Sequence, residues 1–313
     1  MEKNHKNNNP YKTRVGGCTC TVFVPYDCNN HCPFCVNKKE YVDSSNFSLD
    51  KIISSIKIID QITPNCDFVI TGGEPFANLP ALQRIIDTIP ATHKLYINTT
   101  FPVQTNISSN DLLNFVSQNK NKISCINISR HTNMYIEESP DEIISKISTK
   151  KRINCVLYKN YGDKDVLTNF VKRWGKYNIP IQFRYDYTET TLENLYEEKN
   201  DPILQDLLSN FTYIGLDGCR IRNGFHFKYY IDELGVWERM TYHKTLPYST
   251  IVEKDENDGI TYDILYDILI KQNGDFHSDW DGTILDIEKY KKVKFENYDL
   301  KFLYKNEAEW IDW

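Results

Sequence analysis

Apolar and polar positions along the chain follow two periods in turn. Residues 20–24, 67–71, 94–100, 123–129, 152–157 and 179–185 are short runs rich in β-branched and aromatic side chains, the pattern of strands. Between them, residues 48–59, 82–89, 111–120, 141–148 and 165–177 carry apolar residues at helical spacing, and Ser48 stands where an N-cap belongs. Six strands alternating with helices imply right-handed crossovers and a parallel sheet, so the expected class is α/β.

Beyond about residue 195 the pattern changes. Residues 195–210 are acidic and helical, and an aromatic, β-rich region begins at 215–220. Residues 225–230 alternate as a strand does, residues 262–270 fit either a helix or a strand, and Asn273-Gly274 signals a hairpin turn.

Alternation also sorts faces. Cys125, Asn127 and Ser129 share one face of the fourth strand, opposite Ile126 and Ile128. Gln182, Arg184 and Asp186 share one face of the sixth. Unpaired polar groups are costly to bury, so these faces point to a polar cavity or to a half-exposed strand. A guanidinium suits a carboxylate or phosphate, which makes Arg184 a candidate for an anionic group; the rival is an ion pair with Asp186 or a helix carboxylate. Arg184 and Cys125 are the candidate catalytic residues.

Composition narrows the setting. With 313 residues, 40% of them hydrophobic, the chain can bury a sizeable core. No apolar run approaches the ~20 residues of a membrane span, and the polar N-terminus lacks a signal peptide's apolar segment. Nine cysteines in such a chain are expected to be thiols or metal ligands rather than disulfides, in the cytoplasm. A net charge of −6 without a long basic run disfavours extended nucleic-acid binding, though not a local pocket for a small anion.

The chemistry concentrates after the first strand, where Cys28, Cys32 and Cys35 fall at i, i+4 and i+7. Thiolate-rich sites select zinc, Cu(I) or Fe–S clusters, and three local ligands leave a metal position open. A zinc knuckle completed by His31 or a distant cysteine is the alternative. The second strand runs into Gly72-Gly73-Glu74-Pro75. Glycines permit close approach of backbone to a ligand, and a carboxylate can accept from an ammonium; alone, the segment is also an ordinary strand-to-helix turn.

Cys-x-x-x-Cys-x-x-Cys with Phe34 before its last cysteine, followed by Gly-Gly-Glu-Pro after the next strand, resembles the radical S-adenosylmethionine (AdoMet) superfamily over about residues 17–190. The resemblance implies a partial (β/α)6 TIM-like barrel at residues 17–195, with the site at the carboxyl ends of its strands. A polar tail (1–16) would precede it, and a β-rich extension (196–313) would cover the substrate side. It implies one [4Fe–4S] cluster on Cys28, Cys32 and Cys35, with AdoMet on the fourth iron. Gly72, Gly73, Glu74 and Pro75 would receive the methionine amine, and Phe34 would pack at the adenine. Asn98, Ser129 and Arg130 would serve ribose, carboxylate and adenine.

The implied reaction is reductive cleavage of AdoMet to a 5′-deoxyadenosyl radical, with flavodoxin or ferredoxin as electron donor. The radical would take hydrogen from a small polar metabolite or nucleotide. The alternatives are a peptide- or protein-modifying enzyme (a peptide maturase or glycyl-radical activase) and a non-enzymatic zinc protein. Many peptide-modifying members carry a cysteine-rich extension for auxiliary clusters. Here only Cys66, Cys125, Cys155 and Cys219 follow Cys35, none in a close pair, and Cys18, Cys20 and Cys219 are the one conceivable second set. His226, His243, His277, Asp279 and Asp281 are candidate substrate contacts in the extension, while Trp280, Trp310 and Trp313 are expected to pack.

Overall fold

Strand order in space largely repeats strand order in the chain. The computed structural model describes residues 10–13, 18–26, 28, 30, 32–35, 46–63, 65–101, 107–136, 138–219, 221–246, 250–254, 259–279 and 283–291. Its first half runs β1 (Tyr11–Thr13), β2 (Thr19–Val24), α1 (Leu49–Ile62), β3 (Asp67–Gly72), α2 (Leu79–Thr88), β4 (Lys94–Thr99), α3 (Ser109–Gln118), β5 (Cys125–Ser129), α4 (Asp141–Ser145), β6 (Lys151–Val156), α5 (Lys164–Gly175) and β7 (Ile181–Arg184). There follow α6 (Leu192–Leu195), α7 (Pro202–Asn210), β8 (Thr212–Cys219), β9 (Arg222–Ile231), β10 (Val236–Thr245), β11 (Thr250–Lys254), β12 (Thr261–Leu265), β13 (Asp267–Ile270) and β14 (Phe276–His277).

Eleven strands form one sheet in the order β14-β13-β2-β3-β4-β5-β6-β7-β10-β9-β8. From β13 to β10 every neighbour is parallel, and β14, β9 and β8 are antiparallel additions at the two edges. A small second sheet has the order β1-β12-β11. Because β2 to β7 sit side by side in chain order, right-handed crossovers put all their helices on one face. Burial agrees: in β3, Phe68 and Ile70 are sealed from solvent while Asp67, Val69 and Thr71 on the other face are half-buried. Ile52, Ile56 and Ile59 of α1, Ile85 and Ile86 of α2, and Leu167, Val171 and Trp174 of α5 join the same core. Side chains fix the helix starts, with Ser48, Asn78, Asp163 and Asp201 each accepting from a first-turn N–H.

The other face is concave. Leu246 and Ile221, beside the ends of β10 and β9, pack with Leu195 and with Tyr266, which leads into β13. In a flat sheet β10 and β13 would lie about 34 Å apart, seven strand spacings. Their contact requires the sheet to curl. Among the described residues no ladder closes it, so the architecture is mixed α/β with a large, mostly parallel open sheet rather than a closed barrel.

Where the (β/α)6 expectation stopped at six strands, β13 extends the sheet beside β2 and β10 extends it beside β7. The 262–270 run, ambiguous between helix and strand, divides into β12 and β13, which belong to different sheets. Of the 195–210 run expected to be helical, only Pro202–Asn210 (α7) is, since α6 ends at Leu195. A buried ion pair ties α7 to β10: Lys244 Nζ lies 3.0 Å from Asp201, which also accepts from Tyr242 at 3.1 Å. Among the described residues no helix is long and apolar enough to cross a membrane.

One buried carboxyl on β10 has no such partner among the described residues. Glu238 is 3% exposed, and burial pushes its carboxyl up to about 7. It stands beside Gly175 at the carboxyl end of α5, where the helix dipole does not favour an anion. A folded-state value above the unfolded one means that stability present below about pH 4.5 is lost as pH rises toward 7. Glu238→Gln should therefore be more stable than wild type at pH 8, by on the order of 3 kcal/mol. In urea titrations the gap should narrow steadily as pH falls from 7 to 5.5; a pH-independent gap would contradict the assignment.

Candidate functional site

β2 ends at Val24, and the chain turns outward through Pro25 and Tyr26 into the cysteine loop. Cys28, Cys32 and Cys35 are half-buried and in no disulfide. Asn30 Nδ2 lies 3.5 Å from Cys28 Sγ, and Cys35 N–H donates to the Cys32 carbonyl at 3.2 Å. His31, the alternative fourth ligand, is outside the described residues. So are Trp280, Asp281, Trp310 and Trp313. Three thiols on one loop, none in a disulfide, suit the cysteine donor set of a [4Fe–4S] cluster. Among the described residues no three His, Cys, Asp or Glu side chains converge on one ion's position. The thiolates of a [4Fe–4S] cluster each hold a different iron, so such a cluster does not require them to converge on one point.

Phe34 anchors this loop to the far strands. Its ring centroid lies 4.8 Å from His131, 5.7 Å from Tyr135 and 5.5 Å from Tyr158, which follow β5 and β6. Burial, with the nearby Arg130 charge, pushes His131 down to about 4, so the imidazole is neutral and its Nδ1 accepts from Val156 N–H at 3.2 Å.

The Gly-Gly-Glu-Pro segment meets the root of the cysteine loop backbone to backbone. Gly73 N–H donates to Val24 O at 2.9 Å, and Glu74 N–H donates to Tyr26 O at 3.2 Å. Side chains have no room there. A Cβ on Gly73 would fall 1.4 Å from Tyr26 O, and Gly72 adopts φ +121° with Val24 O only 2.1 Å from where its Cβ would be. Pro75 and Phe76 are buried behind the turn.

Glu74 is 3% exposed, and four donors meet its carboxylate. Phe76 N–H (3.1 Å) and Thr99 Oγ1 (2.6 Å) donate to Oε1, and Thr100 N–H (2.9 Å) and Oγ1 (2.8 Å) to Oε2. Burial pushes its carboxyl up while these bonds pull the other way. An ionised carboxylate offers about four lone-pair positions, so Glu74 is engaged within the chain. Arg130, fully buried, completes the network by donating to Thr100 O, Ser129 O and Ser139 Oγ at 2.7–2.8 Å. The carboxyl ends of β3, β4 and β5 are thereby held by one set of charged and hydroxyl groups.

Asn98 faces inward on β4. It accepts from Asn127 at 2.7 Å, and Asn127 in turn accepts from Arg152 Nε at 2.6 Å. Ser129, half-buried, ends β5 on the same face as Asn127. Cys125 is at the other end of that strand, about 13 Å away, and burial pushes its thiol up. Cys18 and Cys20 lie at the amino end of the sheet, buried with Cys66 in a thiol cluster whose Cys20 and Cys66 members burial also pushes up. The side chain of Cys219 is outside the described residues.

Arg184 ends β7 on the inward face with no ion pair among the described residues, and Asp186 accepts from Thr188 N–H and Oγ1 through Oδ1. Gln182 meets His243 Nδ1 at 3.2 Å, and His226 pairs with Asp217 at 3.2 Å. His277 lies on the edge strand β14, and Asp279 accepts from Thr283 N–H at 3.1 Å. Sequence patterning missed Arg152, Arg222 and the Thr99–Thr100 pair. Alternation within β6 would have turned Arg152 inward, whereas Arg222 and His243 depend on β10 pairing with β7.

Residues 15–154 match the family model of a 4Fe-4S single cluster domain. That span holds the three loop cysteines and the Gly-Gly-Glu-Pro turn, and the match indicates an iron–sulfur cluster domain there. No curated protein matches the sequence.

Two substitutions test the turn. Glu74→Gln would aim amide hydrogens at protein donors and should cost about 1–3 kcal/mol in denaturant titrations. Gly73→Ala should part the turn from the cysteine loop, lowering iron retention as well as stability. Wild-type stability in Glu74→Gln, or wild-type iron in Gly73→Ala, would refute the corresponding role.

Proposed function

We propose that this protein is a radical AdoMet enzyme acting on a small polar metabolite or nucleotide. One observation carries the reading: the turn at Gly72-Gly73-Glu74 docks by backbone hydrogen bonds on the root of the loop bearing Cys28, Cys32 and Cys35. Two segments far apart in sequence, both matching the superfamily's motifs, are neighbours at the carboxyl ends of adjacent parallel strands. Ligand sites of parallel α/β folds lie at that edge.

When bound, the cluster and AdoMet would supply one-electron cleavage of AdoMet to methionine and a hydrogen-abstracting 5′-deoxyadenosyl radical. The chain's own part is to bind, orient and exclude water. Cys28, Cys32 and Cys35 would take three irons and leave the fourth to AdoMet. Gly72 and Gly73 let the turn that would receive the methionine amine close against the root of the cysteine loop, and Glu74 and Pro75 keep that turn in shape. Phe34, with its aromatic neighbours, offers a wall for adenine. Asn98 and Ser129 supply polar contacts from the inward face. Arg130 acts from behind them, fixing the carbonyls of Thr100 and Ser129. Arg184 and Cys125 face the remaining cavity.

The polar inward face favours a small substrate over a peptide, as does the lack of a close cysteine pair after Cys35. The setting would be the cytoplasm, where thiols stay reduced, with flavodoxin or ferredoxin supplying the electron.

Anaerobically purified protein should contain about four irons and four sulfides per chain. With a reductant it should convert AdoMet to 5′-deoxyadenosine, quantified by chromatography. Changing Cys28, Cys32 and Cys35 together to Ala should remove the cluster and the product. Zinc in place of iron, a full cluster in the triple variant, or a loaded cluster that leaves AdoMet intact would each defeat the proposal.

A further inference from the structure

The inward face carries a concentration of cations that none of the motifs accounts for. Arg184 on β7 stands opposite Val156 of β6 on one side and His243 of β10 on the other. His243 is opposite Gly224 of β9, and Arg222 is opposite Thr245, one same-face step further along. Arg152 belongs to the same face of β6 as Asn154 and Val156. Arg184 and Arg222 thus flank His243, while Arg152 stands four residues, about 13 Å, along β6 on the same face, its charge acting on both Arg184 and His243; all three arginines are half-buried.

Their acceptors are few. Arg152 donates Nε to Asn127 and lies over the Tyr96 ring at 5.9 Å. Arg222 Nε is buried without an acceptor. Among the described residues none of the three makes an ion pair. Asp186 accepts from Thr188, and Asp217 pairs with His226 through Oδ2, while Asp217 Oδ1 is buried beside Gly224 without a hydrogen-bond partner among the described residues. Burial pushes the Arg184 guanidinium down to about 10, and the charges of Arg152 and Arg222 push the same way, ahead of any carboxylate. Burial and the same three arginines hold His243 well below its ordinary value, as a neutral imidazole. Cations gathered to brace a fold are normally paired with carboxylates, since an unpaired buried charge is costly. These repel one another and share the inward face.

We propose that Arg152, Arg184 and Arg222, with His243 as a neutral hydrogen-bonding partner, receive a multiply charged oxyanion, a phosphate or polycarboxylate group on a small molecule. As an anion site this stands on its own geometry; as the substrate's anchor it rests on the radical AdoMet reading. Guanidinium forks match both groups bidentately.

Full-length protein, purified anaerobically, would be titrated calorimetrically with pyrophosphate, inorganic phosphate and citrate at about 150 mM salt, where surface electrostatics are largely screened. One saturable site per chain is expected, and the tighter of pyrophosphate and citrate identifies the group. Arg184→Gln and Arg222→Gln should each weaken binding roughly tenfold or more. Arg84→Gln, which loses only a surface pair with Asp50, should not. Because each inward substitution relieves mutual repulsion, the anion-free variants should melt no lower than wild type. This distinguishes a lost site from a lost fold.

No saturable binding, equal binding in the variants, or pyrophosphate binding abolished by AdoMet would overturn the inference. If wild type forms 5′-deoxyadenosine but binds no anion, this inference fails alone. If it binds the anion but never cleaves AdoMet, the anion site stands and the enzymatic reading falls.

Discussion

Two backbone hydrogen bonds, from Gly73 to Val24 and from Glu74 to Tyr26, hold the site together. They can form only because β2 and β3 are parallel neighbours in register, so that both strands end at the same edge. They also require that positions 72 and 73 carry no side chain, since a Cβ at either would overlap a carbonyl of the facing strand. The cysteine loop thus springs from a root braced by the neighbouring turn. Glu74 braces the turn in its own right through Thr99 and Thr100, and Arg130 extends the support to β5.

A division of labour between the faces of the sheet follows from the winding. One-sided crossovers spend the apolar residues of every strand on the helices. The opposite residues are left for the concave face, where polar groups are tolerated because it stays open to solvent or ligand. Asn98, Asn127 and Arg152 join there as a hydrogen-bonded row, while among the described residues Arg184 and Arg222 make no ion pair. The carboxylates nearby have other duties, Asp186 as a cap and Asp217 as the partner of His226.

The strands after residue 210 are what give a row of parallel strands its concave face. β10 joins beside β7 and β13 beside β2, and the apolar contact of Leu246 and Ile221 with Tyr266 draws these edges toward each other. The buried Lys244–Asp201 pair holds α7 against the same edge.

Local chemistry was legible in the chain by itself. Strand and helix periods gave six strands and their helices within a few residues, because each depends on spacing along one segment. The thiol spacing at Cys28, Cys32 and Cys35 pointed to a metal loop, and the match to a 4Fe-4S single cluster domain covers it. Alternation turned Arg184 inward. Long-range pairing was not legible. Nothing in 236–245 or 267–270 marks either as the parallel neighbour of a strand formed far earlier in the chain, since a ladder is made by backbone groups that every residue carries. Tertiary structure alone decided that Glu74 would be saturated by protein donors and that Arg130 would be buried donating to Thr100, Ser129 and Ser139. It also decided that Arg222 and His243 would stand beside Arg184, because burial and proximity across strands are properties of the folded sheet.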